Sequence, residues 1–266
     1  LPIELENVSF SYGINTPFEK KALNEVNLKI NEGELWLFIG HTGSGKSTLL
    51  NTLNGLIIPN GKVTVDTLQT NNKNTNMKEL RKKVGIIFQY PESQFFLPTI
   101  AEEILYAPKN FDVDLKKEEI KFYMDIVGLP YDYLNRSPFS LSGGEMRKVA
   151  IISVLSYNPK YIIFDEPTVG LDYSTRKSVF NTVKKLNNMG KTIILSTHWI
   201  SEFLELKPLV AIMKNSNLIF KGKFDDFIKL DQNFLSEAGI IFDEKLELYK
   251  KALLKNDKLK DKIAML

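Results

Sequence analysis

Short apolar runs bounded by polar or turn residues recur along the chain, at Leu35–Ile39, Val84–Phe88, Tyr161–Phe164, Ile193–Leu195 and Leu209–Met213. Runs without polar alternation belong to strands buried on both faces, the habit of a parallel sheet. Between them the period lengthens to that of helices. From Tyr173 to Met189, apolar residues fall at Val179, Phe180, Val183, Leu186 and Met189, and Gly190 follows where a left-handed cap is expected. Alternating strands and helices predict an α/β fold. Residues 90–158 hold helical patterns and no buried strand, which predicts a helical subdomain inserted between two strands. Residues 226–266, rich in Lys and Leu, predict a C-terminal helical extension to a main unit of residues 1–225. Asn71–Asn76 is a polar surface loop on this reading.

Composition narrows the classes. The 266 residues are 43% hydrophobic and 25% charged, with a formal net charge of +3. That balance points away from a nucleic-acid coat. The absence of cysteine excludes a disulfide scaffold, a thiolate zinc site and a cysteine nucleophile. The longest apolar runs hold about five residues, far short of the roughly 18 of a membrane span. Leu1–Glu4 carry no basic and apolar leader, so the expected workplace is a cytoplasm.

Gly40-His41-Thr42-Gly43-Ser44-Gly45-Lys46-Ser47 fits the pattern G-x-x-x-x-G-K-[ST]. It follows the apolar run Leu35–Ile39 and precedes a helical stretch, Thr48–Leu56, the strand–loop–helix context that gives the pattern its meaning. Glycines let backbone N–H groups surround phosphate oxygens, and the helix adds its positive end. Lys46 then supplies a charge for the β- and γ-phosphates and Ser47 a hydroxyl for Mg²⁺. His41 reads as a loop residue whose backbone does the work. A second clue follows Tyr161–Phe164, where Asp165 and Glu166 stand together at a strand end. Adjacent carboxylates there are costly unless a cation or hydrogen bonds receive them. Asp165 is placed to hold Mg²⁺ and Glu166 to orient or deprotonate an attacking water. A third is Leu141-Ser142-Gly143-Gly144-Glu145, ahead of a helical pattern. Ser142 and Glu145 have capping-box spacing, but a cap alone does not call for two glycines; bare N–H groups suit a close-approaching phosphate.

With these motifs in hand, the chain resembles the ATP-binding cassette (ABC) ATPases over about residues 3–223. Leu141–Glu145 looks like that family's signature, with Glu145 where many members have Gln. Gln89 matches the glutamine loop, His198 the switch histidine, Asp172 the D-loop and Tyr12 the aromatic that stacks on adenine. The resemblance implies an α/β P-loop NTPase fold with a mixed sheet core, and ATP and Mg²⁺ as cofactors. It places Gly40, His41, Thr42, Gly43, Ser44, Gly45, Lys46, Ser47 and Thr48 around the phosphates, and Ser47, Gln89 and Asp165 at the metal. Glu166, His198, Gln89 and Lys46 are the implied catalytic set. It also implies two cassettes facing head to tail, so that Ser142, Gly143, Gly144 and Glu145 of one reach the γ-phosphate held by the other, while Asp172 links the two sites. Tyr12 could instead only pack in an edge strand, and Asp172 could also be a helix cap.

Finer features resemble the ATPase subunits of energy-coupling factor (ECF) transporters, most of all the A-prime type: Thr16–Leu23, Gln89–Phe96, and Arg136–Phe139 running into the signature. That resemblance implies an ATPase powering an importer of vitamins or metal ions, peripheral on the cytoplasmic face of the cell membrane. Its partners would be a second ATPase, favouring a hetero-dimer, a membrane T component and a substrate-binding S component, with no nucleic acid. Pro91, Phe95, Phe96 and Leu97 read either as a scaffold-docking groove or as helical-subdomain core. Leu248–Lys262 reads either as a solvated amphipathic helix or as a dimer contact. A soluble ABC ATPase acting on nucleic acid or ribosomes, and the ATPase of another importer class, are the alternatives. A non-catalytic regulatory partner is argued against by the intact Lys46, Glu166 and His198.

Overall fold

The computed structural model describes residues 1–90, 94–255 and 259–265. Its centre is a six-stranded sheet in the order β10-β9-β3-β8-β7-β6. The strands are β3 (Leu35–Ile39), β6 (Val84–Ile87), β7 (Tyr161–Asp165), β8 (Thr192–Ser196), β9 (Leu209–Lys214) and β10 (Asn217–Gly222). All neighbours run parallel except β9 and β10. The unbroken apolar runs follow from burial on both faces. In β3, Leu35, Leu37 and Ile39 enter one core, while Trp36 and Phe38 enter another. β7 divides likewise, with Ile162 and Phe164 on one side and Tyr161 and Ile163 on the other. Such strands contribute about 1.5–3 kcal/mol per large side chain fully withdrawn from water.

A second sheet of four strands, β2-β1-β4-β5, closes the core on the Trp36–Phe38 side. It comprises β1 (Ile3–Tyr12), β2 (Lys20–Ile30), β4 (Asn60–Val65) and β5 (Leu68–Gln69) and is antiparallel throughout. The mixed sheet expected from the sequence is thus the six-stranded one, joined by a separate antiparallel partner. Helix α1 (Lys46–Leu53) buries Leu49, Leu50 and Leu53 in this core. It begins inside the glycine-rich loop and stops before Gly55, whose φ of +71° ends it, so the expected span Thr48–Leu56 is shifted. Helix α2 (Met77–Lys83) is capped by Asn76, whose side chain accepts from the N–H groups of Lys78 and Glu79.

Among the described residues between β6 and β7 the regular elements are helices: α3 (Ile100–Asn110), α4 (Lys117–Val127) and α5 (Gly143–Leu155), with short 3-10 turns at Tyr131–Asn135 and Pro138–Ser140. A capping box of Thr99 and Glu102 starts α3, and Gly128, at φ +68°, ends α4. Helix α6 (Tyr173–Asn188) packs Val179, Val183 and Leu186 inward, and Gly190 takes φ +83° just beyond it. A 3-10 segment, Ile200–Leu206, leads into β9.

The chain ends in α7 (Phe224–Ile228), α8 (Gln232–Glu237), α9 (Glu244–Leu254) and α10 (Leu259–Met265). This part shares the central core, because Phe224, Phe227, Leu235, Ala238, Leu246, Tyr249 and Ala264 are buried in the same cluster as Leu37 and Leu195. The run Leu248–Lys262 therefore falls in two helices, α9 and α10, and Asn256, Asp257 and Lys258 between them lie outside the described residues. Among the described residues no helix is long and apolar enough to cross a membrane.

Candidate active site

Parallel strands gather their carboxyl ends at one edge of the sheet, where an open α/β sheet binds ligands. The loop Gly40–Ser47 leaves β3 there. Gly40, at φ +140°, lies so close to β9 that a Cβ would stand 2.1 Å from the Met213 carbonyl oxygen. Gly45, at φ +110°, faces β2 so closely that a Cβ would meet the Ala22 carbonyl oxygen at 2.4 Å. Glycine is required at both positions. Lys46 is buried and curls back over the loop, its Nζ donating to the carbonyls of Gly40 at 2.8 Å and His41 at 3.1 Å. Burial lowers the Lys46 pKa, and the nearby charges of Glu166 and Asp165 oppose that shift. A lysine held among main-chain carbonyls, with the carboxylates of Asp165 and Glu166 nearby, is poised to exchange those carbonyls for phosphate oxygens.

The carboxylates come from β7. Asp165 is buried, and its Oδ1 accepts from Ser196 Oγ at 2.7 Å and from Ser47 Oγ at 3.1 Å. Glu166 takes φ +48°, a conformation that costs a side-chain-bearing residue energy and that gathers at functional sites. Its N–H donates to Ser196 Oγ at 2.9 Å, which fixes the turn. Its carboxylate faces His198 Nε2 at 3.2 Å and the Gln89 amide at 3.5 Å. Gln89, Glu166 and His198, separated in sequence, are therefore brought to one point beside Ser47 and Asp165.

Tyr12, Lys20, Ala22, Thr42, Gly43, Gly45, Lys46, Ser47, Thr48, Gln89 and Glu166 line a cleft of about 340 Å³. Tyr12 is half exposed there, stands edge-on to Phe10 at 4.9 Å between centroids, and bonds Thr48 Oγ1 at 3.2 Å. Lys20 and Ser196 were missed by sequence reasoning. Lys20 sits within Thr16–Leu23, and Ser196 stands in the register position opposite Asp165; the habit of placing hydroxyls beside strand-end carboxylates was the available signal.

Ser142–Glu145 and Asp172 do not line this cleft. Ser142 caps α5. Its Oγ accepts from the Glu145 N–H at 3.3 Å, while Glu145 Oε2 accepts from the Ser142 N–H at 2.9 Å. That backbone bond, helped by the Ser142 hydroxyl, holds the Glu145 pKa below its ordinary value. The glycines differ. A Cβ on Gly144 would meet Thr175 Cγ2 at 2.8 Å, so any larger residue must displace that side chain, whereas around Gly143 there is open space. Asp172 caps α6 by accepting from the Thr175 N–H at 2.8 Å, the bond that lowers its pKa. Arg147 of α5 is buried and donates to the Phe88 carbonyl at 2.9 Å, tying the signature helix to the strand end before Gln89.

Phe95 is core, buried in the same cluster as Ile100 and Ile104, but Phe96 is 59% exposed and stands edge-on to the half-exposed Tyr106. The core reading thus holds for Phe95, while Phe96 is left at the surface. Buried Glu103 supports it by accepting from the N–H groups of Phe96 and Leu97, each at 2.6 Å. Pro91, with Glu92 and Ser93, lies outside the described residues.

Comparison with known proteins agrees with this geometry. The family model described as "ABC transporter" matches residues 23–169. The energy-coupling factor transporter ATP-binding protein EcfA2 of Clostridium acetobutylicum is 42% identical over 248 residues, covering 90% of this chain and 85% of that protein. Its namesake from Streptococcus thermophilus is 42% identical over 225 residues, covering 83% of this chain and 80% of that protein. Among solved structures, a dimeric post-hydrolysis ATP-binding cassette, MJ0796, bound to ADP and Pi aligns with a TM-score of 0.74 and 30% identity, over 84% of this chain and 98% of that one. The cbiO1 protein from Clostridium perfringens, part of the ABC transporter complex cbiONQ, aligns with a TM-score of 0.74 and 26% identity, over 95% of this chain and 94% of that one.

Proposed function

The chain belongs to the ABC transporter family and, within it, to the energy-coupling factor transporter ATP-binding proteins, and from that membership we propose that it is the ATP-hydrolysing engine of an importer whose other subunits cross the membrane. The observation that carries the reading is the separation of two anion-seeking features. The cleft holds the phosphate loop and Glu166, while Ser142–Glu145 stands outside it with Gly143 open to solvent. One chain thus offers half of each of two sites. Two cassettes facing head to tail complete them, a reading supported by the dimeric state of the relative bound to ADP and Pi.

On this reading the loop N–H groups and Lys46 hold the ATP phosphates, and Tyr12 stacks on adenine. Ser47 and Asp165 fit Mg²⁺, since their oxygens already converge at 3.1 Å and magnesium takes few protein ligands beside phosphate oxygens. When bound, the ion neutralises charge on the phosphates. Glu166 accepts a proton from the attacking water, with Gln89 orienting that water and His198 steadying both carboxylate and γ-phosphate. Residues 1–225 form the cassette, with the helical subdomain at about 90–158, and residues 226–266 the extension. Phe96 and Tyr106 offer a membrane T component an apolar foothold; the S component selects a vitamin or metal ion. The chain works at the cytoplasmic face of the membrane beside a second ATPase of the same family, the arrangement implied by the A-prime resemblance.

The test is Gly143→Asp. The open space around Gly143 lets the variant fold. Its isolated chain should bind ADP like wild type, while turnover of the assembled transporter falls roughly a hundredfold or more. Impaired ADP binding by the isolated chain, or unimpaired turnover, overturns the two-cassette reading. Co-purification from membranes with identification of the bound chains tests the importer assignment.

A further inference from the structure

The phosphate loop is walled by Met213 of β9, by Ala22 of β2, and by the turn after β9, where the Ser216 N–H donates to the Ser44 carbonyl at 3.1 Å. A further wall comes from outside the cassette. At the end of α8 the Ala238 carbonyl accepts the His41 N–H at 2.9 Å. Gly239, at φ +73°, brings the backbone so near that a Cβ would stand 2.8 Å from His41 Cβ and 3.4 Å from His41 N. The His41 carbonyl in turn accepts from Lys46 Nζ at 3.1 Å and from the Ser44 N–H at 3.2 Å. One residue, His41, therefore stands between the C-terminal extension and the lysine of the phosphate loop.

The wall is itself anchored. Ala238 is fully buried and Leu235 and Ile240 nearly so, and the Ile240 N–H donates to the Leu235 carbonyl at 2.9 Å. Glu237 meets Lys214 at 2.7 Å, fastening α8 to β9 beside the loop. We infer that the Ala238–Gly239 turn is a positioning element for the phosphate loop, so that the extension sets nucleotide affinity as well as completing the core. The physical reason is preorganisation. A cradle built from backbone N–H groups binds according to their directions, and a loop held from behind has less to lose on binding. Linkage makes the effect reciprocal, so a nucleotide in the cleft stabilises the turn at Gly239.

The inference rests on reading Gly40–Ser47 as the phosphate cradle, and the experiment separates the two. ADP affinity is measured calorimetrically on the full-length chain for wild type, Gly239→Ala, Gly190→Ala and Lys46→Ala. Gly190 has φ +83° with open space around it, so its variant carries the same kind of backbone strain without touching the loop. We expect Gly239→Ala to weaken ADP roughly five- to tenfold, with Gly190→Ala within about twofold of wild type at a similar loss of melting temperature. In the assembled ATPase, Gly239→Ala should raise KM for ATP and leave kcat near wild type. Hydrogen exchange of residues 235–241 in the wild type should slow when ADP is added, a readout that stands if the variant fails to fold. Equal affinities for the two glycine variants, or exchange at 235–241 indifferent to ADP, overturns the inference. Unchanged ADP binding by Lys46→Ala overturns the phosphate-loop reading instead.

Discussion

Strand β7 meets a carboxylate at each end, and the two ends treat it in opposite ways. At its start, Asp66 from the β4–β5 turn accepts from Lys83 at 2.8 Å, Lys160 at 2.9 Å and the Tyr161 hydroxyl at 2.7 Å. Burial there raises the Asp66 pKa, but the hydrogen bonds from Lys83, Tyr161 and Lys160 outweigh it and bring the carboxyl down to about 2. At the other end, Asp165 and Glu166 meet serine hydroxyls, an imidazole and an amide. The nearest lysine, Lys46, bonds main-chain carbonyls instead. A buried carboxylate is costly unless neutralised. The first end is neutralised within the fold and serves stability. The second has no lysine bonded to its carboxylates and holds Glu166 in a strained backbone, as the proposed ATP site requires. Local rules kept at one end and broken at the other separate scaffold from site.

The hardest test of that contrast is Glu166→Gln. It preserves shape and removes the base. Turnover of the assembled ATPase should fall by about 10²–10⁴, with ATP still bound and the melting temperature within a degree or two of wild type. A large drop in stability would make Glu166 a scaffold residue like Asp66 and erase the distinction. Unchanged turnover would remove it from catalysis.

The site edge was legible because each of its motifs ends or follows an apolar run, and aligning those runs in parallel collects Gln89, Glu166, His198 and the phosphate loop. The antiparallel sheet was harder to see. β1 and β2 pair with register shifts between Leu5 and Val8, Val8 and Phe10, and Phe10 and Ser11. Asn7 and Glu25 sit at positive φ within them. Each bulge resets the two-residue alternation, so the periodic signal dies within a few residues. Gly239 was illegible for another reason. Its importance is a close approach to His41, nearly two hundred positions away in the chain, and no local pattern encodes that. The paired glycines of the signature carried a mixed message, since Gly144 answers to Thr175 and Gly143 alone is free to face a ligand.

At the neutralised end, Asp66→Asn should lower unfolding free energy at neutral pH by about 2 kcal/mol, because Lys83 and Lys160 lose their shared counter-charge. The pH profile gives an independent reading. The Asp66 pKa falls from the ordinary aspartate range to about 2 on folding. Its stabilisation is therefore complete above pH ~4 and is lost as pH falls through ~2, amounting to about 1–2 kcal/mol after allowance for solvent screening. Urea titrations from pH 7 to pH 2 should show wild type losing that increment while Asp66→Asn does not. Parallel profiles would mean that Asp66 is not the titrating group, and the two ends of β7 would no longer differ in kind.

Ser196→Ala should have the smallest effect and probes the boundary between the two behaviours. Its hydroxyl donates to Asp165 and accepts the Glu166 N–H, so it satisfies part of the charge and props the strained turn. Removing it leaves the Glu166 N–H without this acceptor, while Asp165 keeps the Ser47 hydroxyl. The stability cost should be about 1 kcal/mol. Glu166 is no longer held by its own backbone, so kcat should fall several-fold while KM for ATP, set by the phosphate loop, stays within about twofold. Ser196→Thr keeps the hydroxyl and should restore most of kcat. If alanine changed KM and kcat together and threonine restored neither, Ser196 would be packing alone, and Glu166 would owe its aim to His198 and Gln89.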